Sequence, residues 1–262
     1  MRLMDNEVLT FCADDAHGAP IMMKADELGI EPTAFIDEIN KNHQESLAKF
    51  GIEYTNYYST HSKENEALVS EIYLDAKSSG YIYRKEIEQC FDEEKQMFLA
   101  DRYVVGECPK CSSKDQYGDG CEECGATYSA TELINPKSSL SGSKPITKIS
   151  EHIFFDLEQT KDDLVNFLNN SSMQKPILGK LSEWLDGDLK SWDISRDAPY
   201  FGFQIPDETK KYFYVWVDAP IGYMASADNW ANKNSHSLEK LWGKQSDYEI
   251  HHFIGKDITY FH

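Results

Sequence analysis

Long apolar stretches are missing from this sequence. Nowhere do 18 apolar residues run together, as a membrane-spanning helix would require. The longest early run, from Val8 to Ala13, is too short for the core of a signal peptide and ends in Asp14 and Asp15. These absences argue against a membrane or secreted protein and predict a soluble protein of the cytoplasm. Because 40% of the 262 residues are hydrophobic, the chain can still bury a sizeable core.

Positive charge is also scarce. The chain has 26 lysines and arginines against 45 aspartates and glutamates, which gives a formal net charge of −19. Proteins that hold nucleic acid usually present a basic face, because that face attracts phosphate groups. We therefore expect this chain to bind little nucleic acid unless another part of the protein supplies the basic surface.

Cysteines are few, yet four of the six fall within 17 residues. Each Cys-x2-Cys turn presents two sulfurs on one side of a tight loop, and two such turns complete the tetrahedral shell that Zn²⁺ prefers. We expect a structural zinc site, since no position stays open for a catalytic water. A pair of disulfides is the alternative, and it suits a cytoplasmic chain poorly. The expected ligands are Cys108, Cys111, Cys121 and Cys124.

The first third of the chain alternates strand-like and helix-like patterns. Strands are predicted over residues 7–12 and 53–58, where β-branched and aromatic residues cluster. Helices are predicted over 20–28, over 33–50 and after Ser62, which is a candidate N-cap. This order is typical of an α/β domain with a mostly parallel sheet.

After residue 80 the pattern changes. Strands predicted over 81–83 and 102–105 lead into the cysteine turns. A strand over 152–157 and two helices follow, the first with a capping box that starts at Thr160. We interpret residues 80–193 as an insertion that carries the metal site.

Two later segments have the composition of buried strands and end next to acidic residues. They are Tyr212–Val217 and Glu249–Ile254. Ligands bind beyond the carboxyl ends of parallel strands, so we expect the acidic residues at these ends to converge on one crevice. The alternative for each is a helix N-cap. The acidic residues concerned are Asp14, Asp15, Asp218 and Asp257.

This crevice would combine carboxylates with the aromatic side chains of Trp216 and Tyr223. It contains no Ser-His-Asp nucleophile and no open-site metal ligands. A carboxylate can pair with an ammonium group while aromatic walls bury an apolar side chain. The site therefore suits a free amino acid with a hydrophobic side chain. The alternative for Trp216 is ordinary core packing.

Five blocks of sequence in one order span nearly the whole chain: Phe11–Gly18, Cys108–Tyr128, Trp192–Gly202, Tyr212–Tyr223 and the stretch from His252 onward. In these blocks the chain resembles the catalytic region of bacterial methionyl-tRNA synthetases, which are class I aminoacyl-tRNA synthetases. The resemblance implies a partial Rossmann-type parallel sheet, interrupted by a zinc-knuckle connective insertion. The Rossmann domain would comprise residues 1–79 and 194–262, and the insertion residues 80–193.

The resemblance also implies substrates and roles. The family activates methionine with ATP and Mg²⁺ to an enzyme-bound adenylate, and transfers it to initiator and elongator methionine tRNA. Asp15 would pair with the methionine ammonium group, and Gly255 and Asp257 would contact the nucleotide. Arg196 would be a partner of one of these acids, which makes Asp15, Asp257 and Arg196 the expected catalytic set. The other expected methionine-binding residues are Trp216, Ala219, Pro220, Tyr223, Ile258 and His262.

Two motifs of the family are not found in this sequence. They are the HIGH-type and KMSKS-type sequences, which hold ATP, and the helical anticodon-binding domain is not found either. We therefore expect the 262 residues to carry the methionine pocket and the zinc knuckle but to be inactive alone. The alternative is a non-catalytic, zinc-stabilised module that binds methionine or a partner.

Overall fold

The computed structural model describes residues 6–187, 189–255 and 258–261. The helices are α1 (Ala19–Leu28), α2 (Pro32–Lys49), α3 (Lys63–Ser78), α4 (Lys161–Asn170), α5 (Lys175–Asp186), α6 (Val215–Asp218), α7 (Gly222–Lys233) and α8 (Leu238–Trp242). The strands are β1 (Phe11–Asp14), β2 (Asn56–Ser59), β3 (Ile82–Asp92), β4 (Met97–Phe98), β5 (Val104–Glu107), β6 (Gln116–Tyr117), β7 (Ile134–Ser138), β8 (Ile146–Phe155), β9 (Trp192–Asp193), β10 (Ser195–Asp197) and β11 (Lys211–Phe213).

A parallel pair of strands near the start of the sequence packs against a helix from much later in the chain. Strands β1 and β2 run side by side, with Phe11 opposite Asn56. Helix α7 packs on both strands although it lies far along the chain. The side-chain amide of Asn56 donates to the carbonyl oxygen of Ser226, 170 residues later, at 2.8 Å. Distant segments thus form one α/β unit, and the predicted α/β class is confirmed.

The middle of the chain is antiparallel. Strands β3 and β8 pair along their whole length, from Ile82 opposite Phe155 to Phe91 opposite Ile146, and β4 and β9 extend this sheet. A separate three-stranded sheet has the order β6-β5-β7 and carries the cysteine turns. The change after residue 80 is therefore a change from parallel to antiparallel pairing. The exact domain boundaries stay a prediction.

The helices in the first third of the chain follow the predictions. The Ser62 side chain accepts a hydrogen bond from the backbone N–H of Asn65 and caps α3, as expected. Helix α1 ends at Gly29, whose φ of 67° is left-handed and suits glycine. The capping box predicted at Thr160 is wrong, because that side chain makes no cap hydrogen bond and instead donates to the carbonyl oxygen of Leu157.

The predicted strand over 212–217 is confirmed only for its first two residues, and the predicted strand over 249–254 is wrong. Strand β11 ends at Phe213 and pairs antiparallel with β10, and the chain then turns into the short helix α6. The hydroxyl of Tyr200 accepts a hydrogen bond from the backbone N–H of Val215, at 3.1 Å, which takes a strand donor away. Residues 249–254 form no strand, and most of their side chains are exposed. Without a neighbouring strand or burial, strand-forming composition does not produce a strand.

The largest buried cluster joins the α/β unit to the antiparallel sheet. It includes Val69 and Tyr73 of α3, Ile153 of β8 and Phe213 of β11. The rings of Tyr73 and Phe213 meet edge to face with centroids 5.4 Å apart. This core holds the end of β11, and hence the start of α6, in place. None of the helices within the described residues has the length and apolar character to cross a membrane.

Candidate functional site

Four cysteines converge beside the three-stranded sheet. One ligand atom from each lies within 4.8 Å of the other three. The Sγ atoms of Cys111 and Cys121 are 3.6 Å apart, and those of Cys108 and Cys124 are 3.8 Å apart. A tetrahedral Zn²⁺ with bonds near ~2.3 Å separates its sulfurs by about 3.8 Å, whereas a disulfide bond is about 2.0 Å long. The donor set therefore fits a metal, and the predicted convergence is confirmed.

The two Cys-x2-Cys turns share one backbone construction. In each, the N–H of the first cysteine donates to a carbonyl oxygen five residues later, on Ser113 at 2.8 Å and on Ala126 at 2.9 Å. A residue with left-handed backbone lets each chain reverse, Ser112 with φ 62° and Gly125 with φ 70°. Backbone N–H groups also point at two of the sulfurs, at 3.3 to 3.5 Å. Such donors stabilise thiolates in the absence of any other cation.

A cavity of about 150 Å³ lies at the edge of the parallel pair. Five of its lining residues are ones that the family resemblance assigns to methionine binding, and two are additional. The lining residues are Ala13, Asp15, Thr60, Trp216, Ala219, Tyr223 and Ile258.

The carboxyl ends of β1 and β2 form one side of this cavity. Asp15 directly follows β1 and Thr60 directly follows β2, and parallel neighbours end at the same edge. The Thr60 hydroxyl accepts from the backbone N–H of Ala16 at 2.9 Å, which ties the two ends together. Helices α6 and α7 close the other side. A Cβ on Gly222, at the start of α7, would lie 2.7 Å from a Thr60 methyl carbon, so this close approach requires glycine.

Asp15 lines the cavity and, as a residue, is partly exposed to solvent. Desolvation by the surrounding protein and the nearby negative charge of Asp218 raise its pKa to about 6, and His17 acts in the opposite direction. Near neutral pH the group is mostly ionised. The cavity thus has a negative mouth and an apolar interior, and can hold a cation that carries a hydrophobic side chain.

Asp14 does not reach this cavity and is bound to α2 instead. Its carboxylate accepts hydrogen bonds from the side-chain amide of Asn40 at 2.7 Å, from Nδ1 of His43 at 2.9 Å and from the hydroxyl of Tyr57. The expectation that Asp14 converges on the crevice is wrong. Strand side chains alternate between faces, and that of Asp14 points to the helix side.

Asp218 is fully buried and belongs to a hydrogen-bond chain beside the cavity. Its Oδ2 accepts from Nδ1 of His17, whose Nε2 lies 2.9 Å from Nδ1 of His61. Burial raises the pKa of Asp218, and the hydrogen bond from His17 opposes that rise. Burial and then the nearby His17 lower the pKa of His61. Asp218 is near the crevice, as predicted, but does not line it.

Arg196 has other partners than the acids of the cavity mouth. Its guanidinium forms an ion pair with Asp193 at 3.5 Å and donates to the carbonyl oxygen of Ser195 at 2.6 Å. It also lies over the ring of Tyr214, with 3.9 Å from Cζ to the ring centroid. The partners of Arg196 thus lie in and around the β10–β11 hairpin. A catalytic role for Arg196 stays a prediction.

The remaining predicted residues lie in or next to the cavity or outside the described part of the chain. Gly255 accepts a hydrogen bond from the backbone N–H of Ile258 at 3.1 Å, so it adjoins the cavity wall. Pro220 follows Ala219 but is not among the described lining residues. Asp257 and His262 lie outside the described residues.

Sequence reasoning missed Ala13 and Thr60. Ala13 lies inside β1, and Thr60 directly follows β2, which overlaps the predicted strand over 53–58. The rule that ligands lie beyond the carboxyl ends of parallel strands could have identified Thr60, because it applies to the second strand as much as to the first. Ala13 has no distinguishing side chain and could not have been found from composition.

A family model described as tRNA synthetases class I (M) matches residues 1–262, which is the whole chain. The chain belongs to this class I tRNA synthetase family. The resemblance noted in the five sequence blocks is therefore confirmed.

Solved structures have the same fold as this synthetase chain. Methionyl-tRNA synthetase of Mycobacterium tuberculosis bound by methionyl-adenylate is 18% identical with a TM-score of 0.70, and another structure of its methionyl-adenylate complex is 19% identical with a TM-score of 0.69. Each match covers 100% of this chain and 46% of the other. The apo form is 19% identical with a TM-score of 0.56, over 88% of this chain and 41% of the other. The synthetase chain thus spans slightly under half the length of these structures.

Proposed function

We propose that this chain carries the methionine-activating site of a methionine–tRNA ligase. Family membership supports an aminoacyl-tRNA synthetase, and the solved structures of similar fold are named as complexes with methionyl-adenylate. The observation that carries the proposal is the cavity itself. It brings the carboxylate of Asp15 together with the apolar walls of Trp216, Ala219, Tyr223 and Ile258, from distant parts of the sequence.

Each wall of the cavity has a role in this proposal. Asp15 pairs with the methionine ammonium group, and Trp216 and Tyr223 enclose the thioether. Pro220 and His262 complete the same pocket. The methionine carboxylate is left free to face ATP.

The reaction then needs placement more than acid–base chemistry. A carboxylate oxygen of methionine attacks the α-phosphorus of ATP, and the bond from that phosphorus to pyrophosphate breaks. The protein contributes by holding both reactants and by stabilising charge on the phosphate. Gly255 and Asp257 hold the nucleotide, Mg²⁺ accompanies ATP as substrate, and Arg196 partners one of the acids.

We also propose that the four cysteines hold one structural Zn²⁺. Their donor type and spacing support a closed tetrahedral shell. When bound, the ion would fix the loops around β5 and β6 rather than take part in the chemistry. In this proposal residues 80–193 form the zinc-binding insertion, and residues 1–79 and 194–262 form the Rossmann domain that it interrupts.

Transfer to tRNA completes the proposed activity in the cytoplasm. A net charge of −19 disfavours contact with phosphate, so we expect these 262 residues to contribute little of the tRNA contact. None of the six cysteines forms a disulfide, which suits a reducing compartment.

Two substitutions in the full-length protein test the pocket. Trp216→Ala removes an apolar wall, and Asp15→Asn removes the charge that pairs with the ammonium group. Loss of one partner of such a charge pair costs about 2–5 kcal/mol. We expect both variants to weaken methionine binding, measured by calorimetric titration, by at least tenfold while ATP binding changes little.

A matched tryptophan outside the cavity provides the control. Trp230 packs against Phe11 with ring centroids 6.0 Å apart, so Trp230→Ala should lower stability without a comparable change in methionine affinity. Equal losses of methionine and ATP affinity in Trp216→Ala would contradict the pocket. Methionine binding by the full-length protein without pyrophosphate exchange would favour the non-catalytic module instead.

A further inference from the structure

The buried pair of Asp218 and His17 connects the two sides of the cavity. His17 follows Asp15 by two residues, and Asp218 follows Trp216 by two residues on α6. The hydrogen bond between them therefore links the segment that carries the acid to the segment that carries the aromatic wall, 201 residues later. Both side chains are enclosed: 0% of the His17 side-chain surface and 1% of that of Asp218 is exposed.

A second hydrogen bond holds the turn formed by residues 15–17. The backbone N–H of Ala16 donates to the hydroxyl of Thr60 at 2.9 Å, and Thr60 lines the cavity. Rings surround His17 on the remaining sides, with centroids of Phe201 at 5.4 Å and Phe203 at 4.6 Å. The turn that carries Asp15 is thus held by two contacts, one from the backbone of Ala16 and one from the side chain of His17.

The hydrogen-bond directions in this chain follow from the acceptor at one end. A carboxylate only accepts, so Nδ1 of His17 carries a proton that it donates to Asp218. The chain continues across the 2.9 Å contact between Nε2 of His17 and Nδ1 of His61, where one ring nitrogen donates and the other accepts.

A purely structural role does not account for the chemistry of Asp218. Its Oδ1 is buried and has no hydrogen-bond partner among the described residues. Asp92, a buried aspartate in the antiparallel sheet, instead accepts from the hydroxyl of Ser141 at 2.6 Å and from two backbone N–H groups. A buried carboxylate oxygen with unused acceptor capacity lowers stability, and a functional role is one of the explanations for such an exception.

We propose that Asp218 and His17 are positioning residues that hold Asp15 in register with the wall at Trp216 and set its charge. This inference rests on the proposed function, in which Asp15 pairs with the methionine ammonium group. Neither His17 nor Asp218 lines the cavity. It acts through Asp15.

The charges around Asp15 support this role. The negative charge of Asp218 favours the protonated form of Asp15, and His17 favours the ionised form. Asp37 and Glu66 act on His61 at the far end of the hydrogen-bond chain. The phenols of Tyr200, Tyr214 and Tyr223 also lie within electrostatic reach of Asp15 or Asp218.

Two variants of the full-length protein test the proposal through methionine affinity as a function of pH. Asp218→Asn and His17→Gln should each raise the Kd of methionine about 10- to 100-fold, the equivalent of losing a hydrogen bond to a charged group. Asp218→Asn removes a negative neighbour and should move the pH midpoint of binding downward. His17→Gln should move it upward. A change that only loosens packing gives no such opposite shifts.

Further variants separate geometry, folding and the proposed function. His17→Asn places an amide N–H near the position of Nδ1, so it should restore affinity to within about threefold of the parent while keeping the upward shift. Asp92→Asn is the matched control: it should lower the unfolding temperature and leave the Kd and the midpoint unchanged. If Asp218→Asn does not fold, the comparison of His17→Gln with His17→Asn decides by itself.

The outcomes distinguish this proposal from the one on which it rests. Methionine binding that withstands Asp15→Asn overturns the proposed function. Binding that is lost in Asp15→Asn, but unchanged in Asp218→Asn and His17→Gln, overturns the positioning role alone. Equal affinity losses in both variants with no shift of either midpoint also overturn it, since the pair would then only stabilise the fold.

Discussion

Asp14 and Asp15 are neighbours in the sequence, yet their side chains have different surroundings. Asp14 is the last residue of β1 and is bound by Asn40, His43 and Tyr57, whereas Asp15 faces the cavity. The sequence places both after a strand, but a shift of one residue in the strand end would exchange their roles. Only the structure resolves which carboxylate is available to a ligand.

The raised pKa of Asp15 predicts that methionine binding depends on pH in the acidic range. The ammonium group needs the ionised carboxylate, so affinity should fall about tenfold per pH unit below the pKa of about 6. Calorimetric titration of methionine between pH 5 and 8 measures this, and Asp15→Asn should abolish the dependence.

Folding stability should change in the opposite direction over the same range. The pKa of Asp15 is raised from 3.8 to about 6 in the folded protein, so the folded state binds the proton more readily than the unfolded state. The contribution of Asp15 to the free energy of unfolding therefore increases as pH falls from 6 towards 3.8. If methionine affinity and the contribution of Asp15 to the free energy of unfolding both decreased as pH falls from 6, the charge-pair role would be contradicted.

At the scale of elements, local patterns located most of the first-third helices and the strands β2, β3 and β8. Helix α3 was predictable because Ser62 supplies a cap and because the helix buries Val69 and Tyr73 at helical spacing. Residues 212–217 were not predictable in this way. Their composition favours a strand throughout, but α6 begins at Val215, where its backbone N–H is bound by Tyr200, a residue on another segment.

The cysteine turns form a self-contained element, and metal removal should affect them first. We expect one zinc per chain by elemental analysis, and about none in Cys111→Ala. Chelation should increase proteolysis between β5 and β7 before it affects α3 or α7, because structural metal binding is coupled to local folding. Cys12→Ala, which removes a thiol outside the cluster, should keep the metal. Freshly purified protein without zinc would contradict the site.

Asp92 should stabilise the loop between β7 and β8. Burial alone would raise its pKa, but hydrogen bonds from Ser138, Ser141 and two backbone N–H groups lower it to about 2. This stabilisation is complete above its ordinary pKa of 3.8 and is lost as pH falls from 3.8 towards 2. Asp92→Asn should cost about 1–3 kcal/mol at neutral pH.

Chemical denaturation at pH 7 and pH 2.5 measures that cost. The difference between Asp92→Asn and the parent should shrink at the lower pH. Asp75→Asn changes the same charge at an exposed position of α3 and should have little effect. A difference that is the same at both pH values would show that the carboxylate charge is not what the loop requires.

For the whole molecule, family motifs were more informative than physical pattern. Composition and charge predicted a folded acidic protein, and the strand-end rule pointed to four acidic residues, but only the sequence blocks singled out Asp15 and implied methionine. Physical reasoning could not reach it, because the cavity depends on segments whose contacts span about 200 residues. The positions of Trp216 and Asp15 relative to each other are a property of the complete fold.

The 262 residues alone should not form methionyl-adenylate at a useful rate. Placement of reactants can supply roughly 7–11 kcal/mol of a barrier reduction, and we expect that the HIGH-type and KMSKS-type motifs, which place ATP in this family, are not contained in these 262 residues. The rate of methionyl-adenylate formation can be measured by pyrophosphate exchange with methionine, ATP and labelled pyrophosphate. Exchange within tenfold of the full-length protein would show that other residues of this chain hold ATP.

The distance between His17 and Asp218 along the chain has a consequence for biosynthesis. At roughly 5–20 residues per second, a ribosome needs roughly 10–40 s to make the 201 residues that separate them. The cysteine turns span only 17 residues and can close on metal during that interval. The amino-acid pocket cannot. Nascent chains should therefore acquire chelator-sensitive structure well before they acquire any affinity for the amino acid.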